Sequence, residues 1–243
     1  AQDAAAGEFH RWMDDLIEYP YGCVEQTSSR MLPLSIALQT LSPEQQALAP
    51  TLTQRLAGAR LSLAQMAGPQ ARFGWWGRGM NDDAFLTAYA YFADWRATQA
   101  LRTTLPPEHW KTLLDVYAKD GVKLPAVQRA LFLSWMQDMR LPVGGMTANF
   151  ANELAARKTE IKGLPKRRGS FAMVEEESVD SHDIALVLAV HTADAAKGKL
   201  ANETRAAADA AAKRLTALKS PMVQALLMMT RRVGVDQAGN LLR

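Results

Sequence analysis

The sequence contains one cysteine and four histidines in 243 residues. One cysteine cannot close an intrachain disulfide, so cysteine usage does not report the redox compartment. No stretch approaches the roughly 18 apolar residues of a membrane-spanning helix. No signal-peptide pattern is read at the start. The chain opens AQDAAAGEF without an initiator Met, which leads us to expect a processed chain or one excised from something longer. Charge of one sign is also missing, with 28 Lys+Arg against 25 Asp+Glu and a net charge of +3. The densest basic cluster, KGLPKRR (Lys162 to Arg168), is followed almost at once by EEES and reads as a solvated loop. No nucleic-acid partner and no direct membrane contact are expected. No two histidines have metal-ligand spacing, so no metal and no cofactor are expected. Period-two alternation is absent apart from short pieces near Ser170–Val174.

What remains is helix. Hydrophobic content is 48% and charged content 22%, ordinary for a globular protein, and the length allows one large core or two small ones. Apolar residues recur at helical spacing over Asp3–Glu18, Val24–Leu41, Pro43–Ala67, Asp82–Leu101, Pro107–Lys119, Ala126–Arg140, Met146–Lys158, Ser181–Lys197, Glu203–Lys219 and Pro221–Val233. Helix starts are marked by Ser42-Pro43, Pro107, Ser220-Pro221 and an Asx cap in GMNDDAF; stops are marked by Asp120-Gly121 and Gly198. Phe85, Leu86, Tyr89, Phe92, Ala93 and Arg96 fall along adjoining stripes of one helix, whose inner side is expected to be broad and apolar. Short connections imply antiparallel hairpins in an all-α chain, read as a single domain over residues 1–243. The long loops are Gly68 to Asn81 and Lys158 to Ser178.

The lone cysteine lies in EYPYGCVEQTSSR, Glu18 to Arg30. Pro20 and Gly22 end the preceding helix, which puts Cys23 at the start of the next, where the helix dipole favours a nucleophile. Gln26 lies one turn on, within reach of the same face. A thiolate attacking its amide carbon and expelling ammonia would leave an internal thioester, stable only with water excluded. Tyr19 and Tyr21 are candidates for that shield. The spacing alone leaves the alternative open that Cys23 is a small buried hydrophobe and Gln26 a solvated first-turn residue.

The stretch YPYGCVEQTSSR resembles the thioester motif of the alpha-2-macroglobulin and complement family, with its Cys-x-Glu-Gln core, and its Tyr-Pro-Tyr-Gly lead resembles the bacterial branch. FGWWGRGMNDDAFLTAYAYFADW (Phe73 to Trp95) resembles the family's Gly/aromatic segment and LTAY helix, and SVDSHDIALVLAVHTA (Ser178 to Ala193) is a weaker, later match. The resemblance implies an α/α toroid of antiparallel helical hairpins, possibly fewer than the full twelve helices. It makes Cys23 the thiol, Gln26 the acyl donor and Glu25 a motif residue of open role. It also implies neighbouring macroglobulin-type domains, a bait region whose cleavage exposes the thioester, and covalent capture of the target protease through lysine amines. The bacterial branch implies a periplasmic protein anchored to the inner membrane by an upstream lipid, a single-use inhibitor and not a turnover enzyme. Complement-type members carry a steering His well downstream; Met136 to Phe150 has none, so amines or direct hydrolysis are expected over ester formation.

Trp75 and Trp76 are expected to shield the thioester, bind a ligand or wedge between helices. His191 is expected in the core, His109 exposed, His10 without a partner, and Asp180 and Ser181 of VDSHD as caps beside His182. The competing readings are a non-reactive helical interaction module and a Cys–His hydrolase pairing Cys23 with a distant His such as His182. In the hydrolase Gln26 would have no function.

Overall fold

The structure is a computed structural model and describes residues 22–77, 81–157, 179–218 and 220–232. The expected Asp3–Glu18 helix, Tyr19, Tyr21, His10, the basic cluster and the short pieces near residue 170 lie outside the described residues. Among the described residues the only regular elements are helices: α1 Val24–Thr40, α2 Ala49–Met66, α3 Ala84–Ala100, α4 Glu108–Lys119, α5 Ala126–Asp138, α6 Gly144–Ala156, α7 Val179–Ala195, α8 Asn202–Leu215 and α9 Pro221–Met229, with short 3₁₀ turns between some of them. The chain packs as two compact units, Ala1–Lys119 and Asp120–Arg243, which meet in sequence at the expected Asp120-Gly121 break.

In the first unit α1 packs against α2 and α3. Its buried residues Val24, Thr27, Ser28, Met31, Leu34 and Ser35 follow the helical three-and-four spacing. The inner side of α3 is broad, as expected, but its buried residues are mostly small: Ala84, Ala88, Ala90, Ala93, Ala97, Thr87 and Thr98 beside Leu86 and Tyr91. Phe85, Tyr89 and Phe92, expected on that side, are half-buried. Small side chains suit close helix packing, and the rings occupy its margin.

The expected Pro43–Ala67 helix is two elements. Pro43–Leu48 is a 3₁₀ turn, and the α-helix begins at Ala49 with Pro50 in its first turn. Pro50 lacks an N–H and its ring would crowd the carbonyl four residues back, a cost that vanishes in a first turn, which is where the structure puts it; α1 bears that cost at Pro33 in its interior. Gln45 Oε1 accepts from the Ser42 N–H at 3.2 Å, completing the expected cap.

In the second unit α7 is central and packs against α5, α6, α8 and α9. Ala185 through Val190 are all buried, as in a helix covered on every side. At its C-terminal end, a Cβ built on Gly144 would lie 2.5 Å from the Ala196 carbonyl and one on Gly198 2.5 Å from the Gly144 carbonyl. Only glycine lets these backbones approach so closely.

Candidate functional site

Cys23 is the N-cap of α1, in extended backbone geometry with φ −67° and ψ 172°. Gln26 is the third residue of the helix, and the two form a capping box. The Gln26 Oε1 accepts from the Cys23 backbone N–H at 3.1 Å, while the Cys23 side chain stands at the Gln26 backbone N–H. The usual box pairs a hydroxyl with a carboxylate or amide; here a free thiol takes the hydroxyl's place. The thiol and the amide are therefore folded toward each other by the helix's own capping geometry. Cys23 is buried at 8% exposure, whereas Gln26 is exposed.

The second motif lies against the first. The Val24 N–H, an orphan donor of the first turn, reaches the Trp75 carbonyl at 3.2 Å. The loop that offers this carbonyl is pinned to the start of α3. Thr87 Oγ1 accepts from the Phe73 N–H at 3.0 Å and donates to the Asp83 carbonyl at 2.7 Å, and Asp83 Oδ1 caps the Leu86 N–H at 2.8 Å. Phe73 meets Tyr91 edge-on at 6.0 Å, and the Tyr91 hydroxyl donates to the Ala71 carbonyl at 3.0 Å. Burial pushes the Tyr91 phenol up to about 12, so it remains a donor across the ordinary pH range. Thr87→Val leaves the buried Phe73 N–H without its acceptor. A stability loss of about 2 kcal/mol is expected, measured as a lower denaturant midpoint.

The tryptophans act differently from a helix wedge. Trp75 is 38% and Trp76 73% exposed. The Trp75 main-chain carbonyl holds the helix start, while Trp76 borders a cavity of about 350 Å³ that Cys23 also lines. The remaining walls are Gly22, Thr27 and Arg30 near the helix start and Ser62 and Met66 from α2.

Glu25 joins a chain of hydroxyls. Ser29 donates to Glu25 Oε1 at 2.7 Å, which leaves the Ser29 oxygen to accept from the Tyr89 hydroxyl at 2.9 Å. Burial raises the Tyr89 phenol, and the Glu25 charge adds to this against the Ser29 hydrogen bond. The motif carboxylate thus ties the first turn of α1 to the LTAY helix.

The histidines fall elsewhere. His182 is buried, and its Nε2 lies 2.9 Å from the Leu154 carbonyl, so that nitrogen carries the proton. Its Nδ1 lies 3.7 Å from Asp183 Oδ1. An imidazole held this way is a packing group, so His182 does not stand free as the base of a Cys–His hydrolase. His191 is half-buried rather than in the core; burial, then Arg231 and Arg232, lower its pKa. His109, expected exposed, is half-buried because its ring packs edge-on against Tyr91 at 5.1 Å.

The chain is 38% identical over 92% of its length to alpha-2-macroglobulin of Ralstonia nicotianae, and spans 15% of that protein. It belongs to the alpha-2-macroglobulin family. Its fold is similar to that of native E. coli alpha-2-macroglobulin, with a TM-score of 0.60 and 17% identity over 96% of this chain and 15% of that one. It is also similar to Salmonella alpha-2-macroglobulin reacted with methylamine, with a TM-score of 0.59 and 18% identity over 96% of this chain and 15% of that one. No protein-family model matches the chain. The all-α class expected of an α/α toroid is what the described residues have.

Proposed function

We propose that the chain is the thioester-bearing domain of a bacterial alpha-2-macroglobulin-like protease inhibitor, with an internal thioester between Cys23 and Gln26. The observation that carries this reading is the shared capping box. In thioester formation the Cys23 Sγ–Cδ bond forms, the Gln26 Cδ–Nε2 bond breaks, and the thiol proton leaves with the departing nitrogen as ammonia. The Cys23 N–H already holds the carbonyl oxygen at 3.1 Å, where a developing negative charge is stabilised.

An attacking amine reverses the exchange. A new Cδ–N bond forms, the Cδ–Sγ bond breaks, and the proton lost by the amine restores the thiol. Each molecule does this once, so the chain is an acyl donor and not a turnover catalyst. The target is a lysine amine of a protease trapped after bait cleavage. Methylamine is the simplest model of that amine, and the Salmonella relative has been reacted with it.

Because Gln26 is exposed, the acyl carbon needs cover. Tyr19, Tyr21, the Trp76 ring and a neighbouring macroglobulin-type domain supply it in this reading. Separated from that neighbour, the thioester hydrolyses to free Cys23 and a glutamate at position 26. The full-length protein is placed in the periplasm, anchored to the inner membrane through an upstream lipid, where it meets proteases attacking the cell envelope.

Intact mass of the full-length protein tests this. The untreated protein is expected to be lighter than its sequence by one ammonia. Methylamine should then add one equivalent and release one thiol. Full sequence mass with no methylamine uptake would overturn the reading.

A further inference from the structure

Thr27 has no part in the capping box, yet it stands beside it. The residue is 0% exposed, and its Oγ1 is buried without a hydrogen-bond partner. A hydroxyl in that state is a standing cost to the fold unless it has a partner at another stage. Thr27 follows Cys23 by four residues, one helical turn, and the two line the same cavity. Gly22 lines it too and lies close to the hydroxyl: a Cβ there would lie 3.1 Å from Thr27 Oγ1 and 3.2 Å from Arg30 Nη2. Ser28 Oγ is also buried and unpartnered, but Ser28 does not line this cavity.

We infer that the Thr27 hydroxyl is the hydrogen-bond donor to the Cys23 thiolate when the thioester is made and when it is broken. The inference rests on the thioester reading above. Two states of the cycle carry negative charge on sulfur: the attacking thiolate during closure and the leaving thiolate during aminolysis. A neutral thiol or a thioester sulfur is a weak acceptor. A thiolate is a strong one, and hydrogen bonds to charged groups are about twice as strong as neutral ones. An unpartnered donor one turn away therefore favours the charged sulfur over the resting forms, which is the differential binding that speeds a step. The Thr27 proton is not transferred. In closure the thiol proton still leaves with ammonia, and in aminolysis the amine proton still ends on Sγ. The Gln26 backbone N–H at the same side chain supplies a second donor.

The test compares wild type, Thr27→Val and Thr27→Ser in the full-length protein. Valine keeps the shape and removes the hydroxyl; serine keeps the hydroxyl. Three quantities are measured: methylamine-triggered thiol release, iodoacetamide alkylation of Cys23 after opening, and the thermal midpoint. Thr27→Val should slow opening and alkylation by roughly tenfold or more, the factor a hydrogen bond to a charged group supplies. Its thermal midpoint should be equal or higher, because a buried unsatisfied hydroxyl is gone. Thr27→Ser should stay close to wild type in both rates. Thr27→Val carrying the full ammonia deficit and reacting at the wild-type rate overturns the inference alone. Equal slowing in both variants with a lowered midpoint also overturns it, as the sign of a packing role. A wild type at full sequence mass removes the thioester reading, and this inference with it.

Discussion

Replacing Cys23 with alanine should abolish amine uptake completely while the fold survives. The variant should have its full sequence mass, take up no methylamine and release no thiol. The stability cost is expected to be only about 1 kcal/mol, the loss of one N-cap side chain, because the Val24 N–H keeps its Trp75 carbonyl partner. Gln26→Ala gives the sharper contrast. It keeps the thiol and removes the acyl carbon, so the protein should carry a free Cys23 from the start and still take up no amine. A Cys23 hydrolase would show the opposite split, with activity lost in Cys23→Ala and kept in Gln26→Ala. Amine uptake and free-thiol titration on the two variants, with circular dichroism for the fold, distinguish these cases.

In the second unit a stability loss as large as that of Thr87→Val is expected from Arg214→Ala. Arg214 holds Asp183 through two bonds, Nε to Oδ2 at 2.7 Å and Nη2 to Oδ1 at 2.6 Å. The Asp183 side chain is 2% exposed and that of Arg214 45%. Removing one member of a buried pair strands a charge and costs about 3–5 kcal/mol. Exposure of the guanidinium lets water replace part of its role, so about 2 kcal/mol is expected, read from denaturant unfolding. Burial by itself raises the Asp183 carboxyl, but the neighbouring His182 and the two hydrogen bonds and charge of Arg214 outweigh it, and the net shift is downward. A carboxylate lowered in the folded state contributes stability above its unfolded value. That stability is lost as pH falls from the ordinary carboxylate range through the folded value. This contribution should therefore be lost over that acid window in wild type, whereas in Arg214→Ala, where burial remains and the Arg214 bonds are gone, the loss over the same window should be smaller or reversed, so the gap between the two proteins should narrow as pH falls.

Much of this fold is written in local sequence. Ser42-Pro43, Asp83 and Ser220-Pro221 mark helix starts because caps act within three residues, and the structure places starts at each of them. Pro50 marks the place where the Pro43–Ala67 span divides, since proline is better accommodated in the first turn of a helix than in its interior. The core of the site was equally legible: a residue at the helix start and another three positions on must share a face, and Cys23 and Gln26 do. The contacts that support them were not. The Glu25–Ser29 bond follows helical spacing, but the Tyr89 hydroxyl arrives from 60 residues away. The Trp75 contribution is a main-chain carbonyl, which side-chain identity does not announce. Nor does any local pattern reveal that Thr27 is buried without a partner, because that depends on what α2 and the loop before α3 leave open.

In the proposed function Cys23 and Gln26 are two halves of one bond. Peptide mapping after reaction with deuterated methylamine tests it most directly, on the full-length inhibitor of which we propose this chain to be one domain. A labelled methylamide at position 26 and a free thiol at Cys23 are expected, with no label elsewhere in the chain. An unmodified glutamine at position 26, with label absent or carried by another residue, would contradict it.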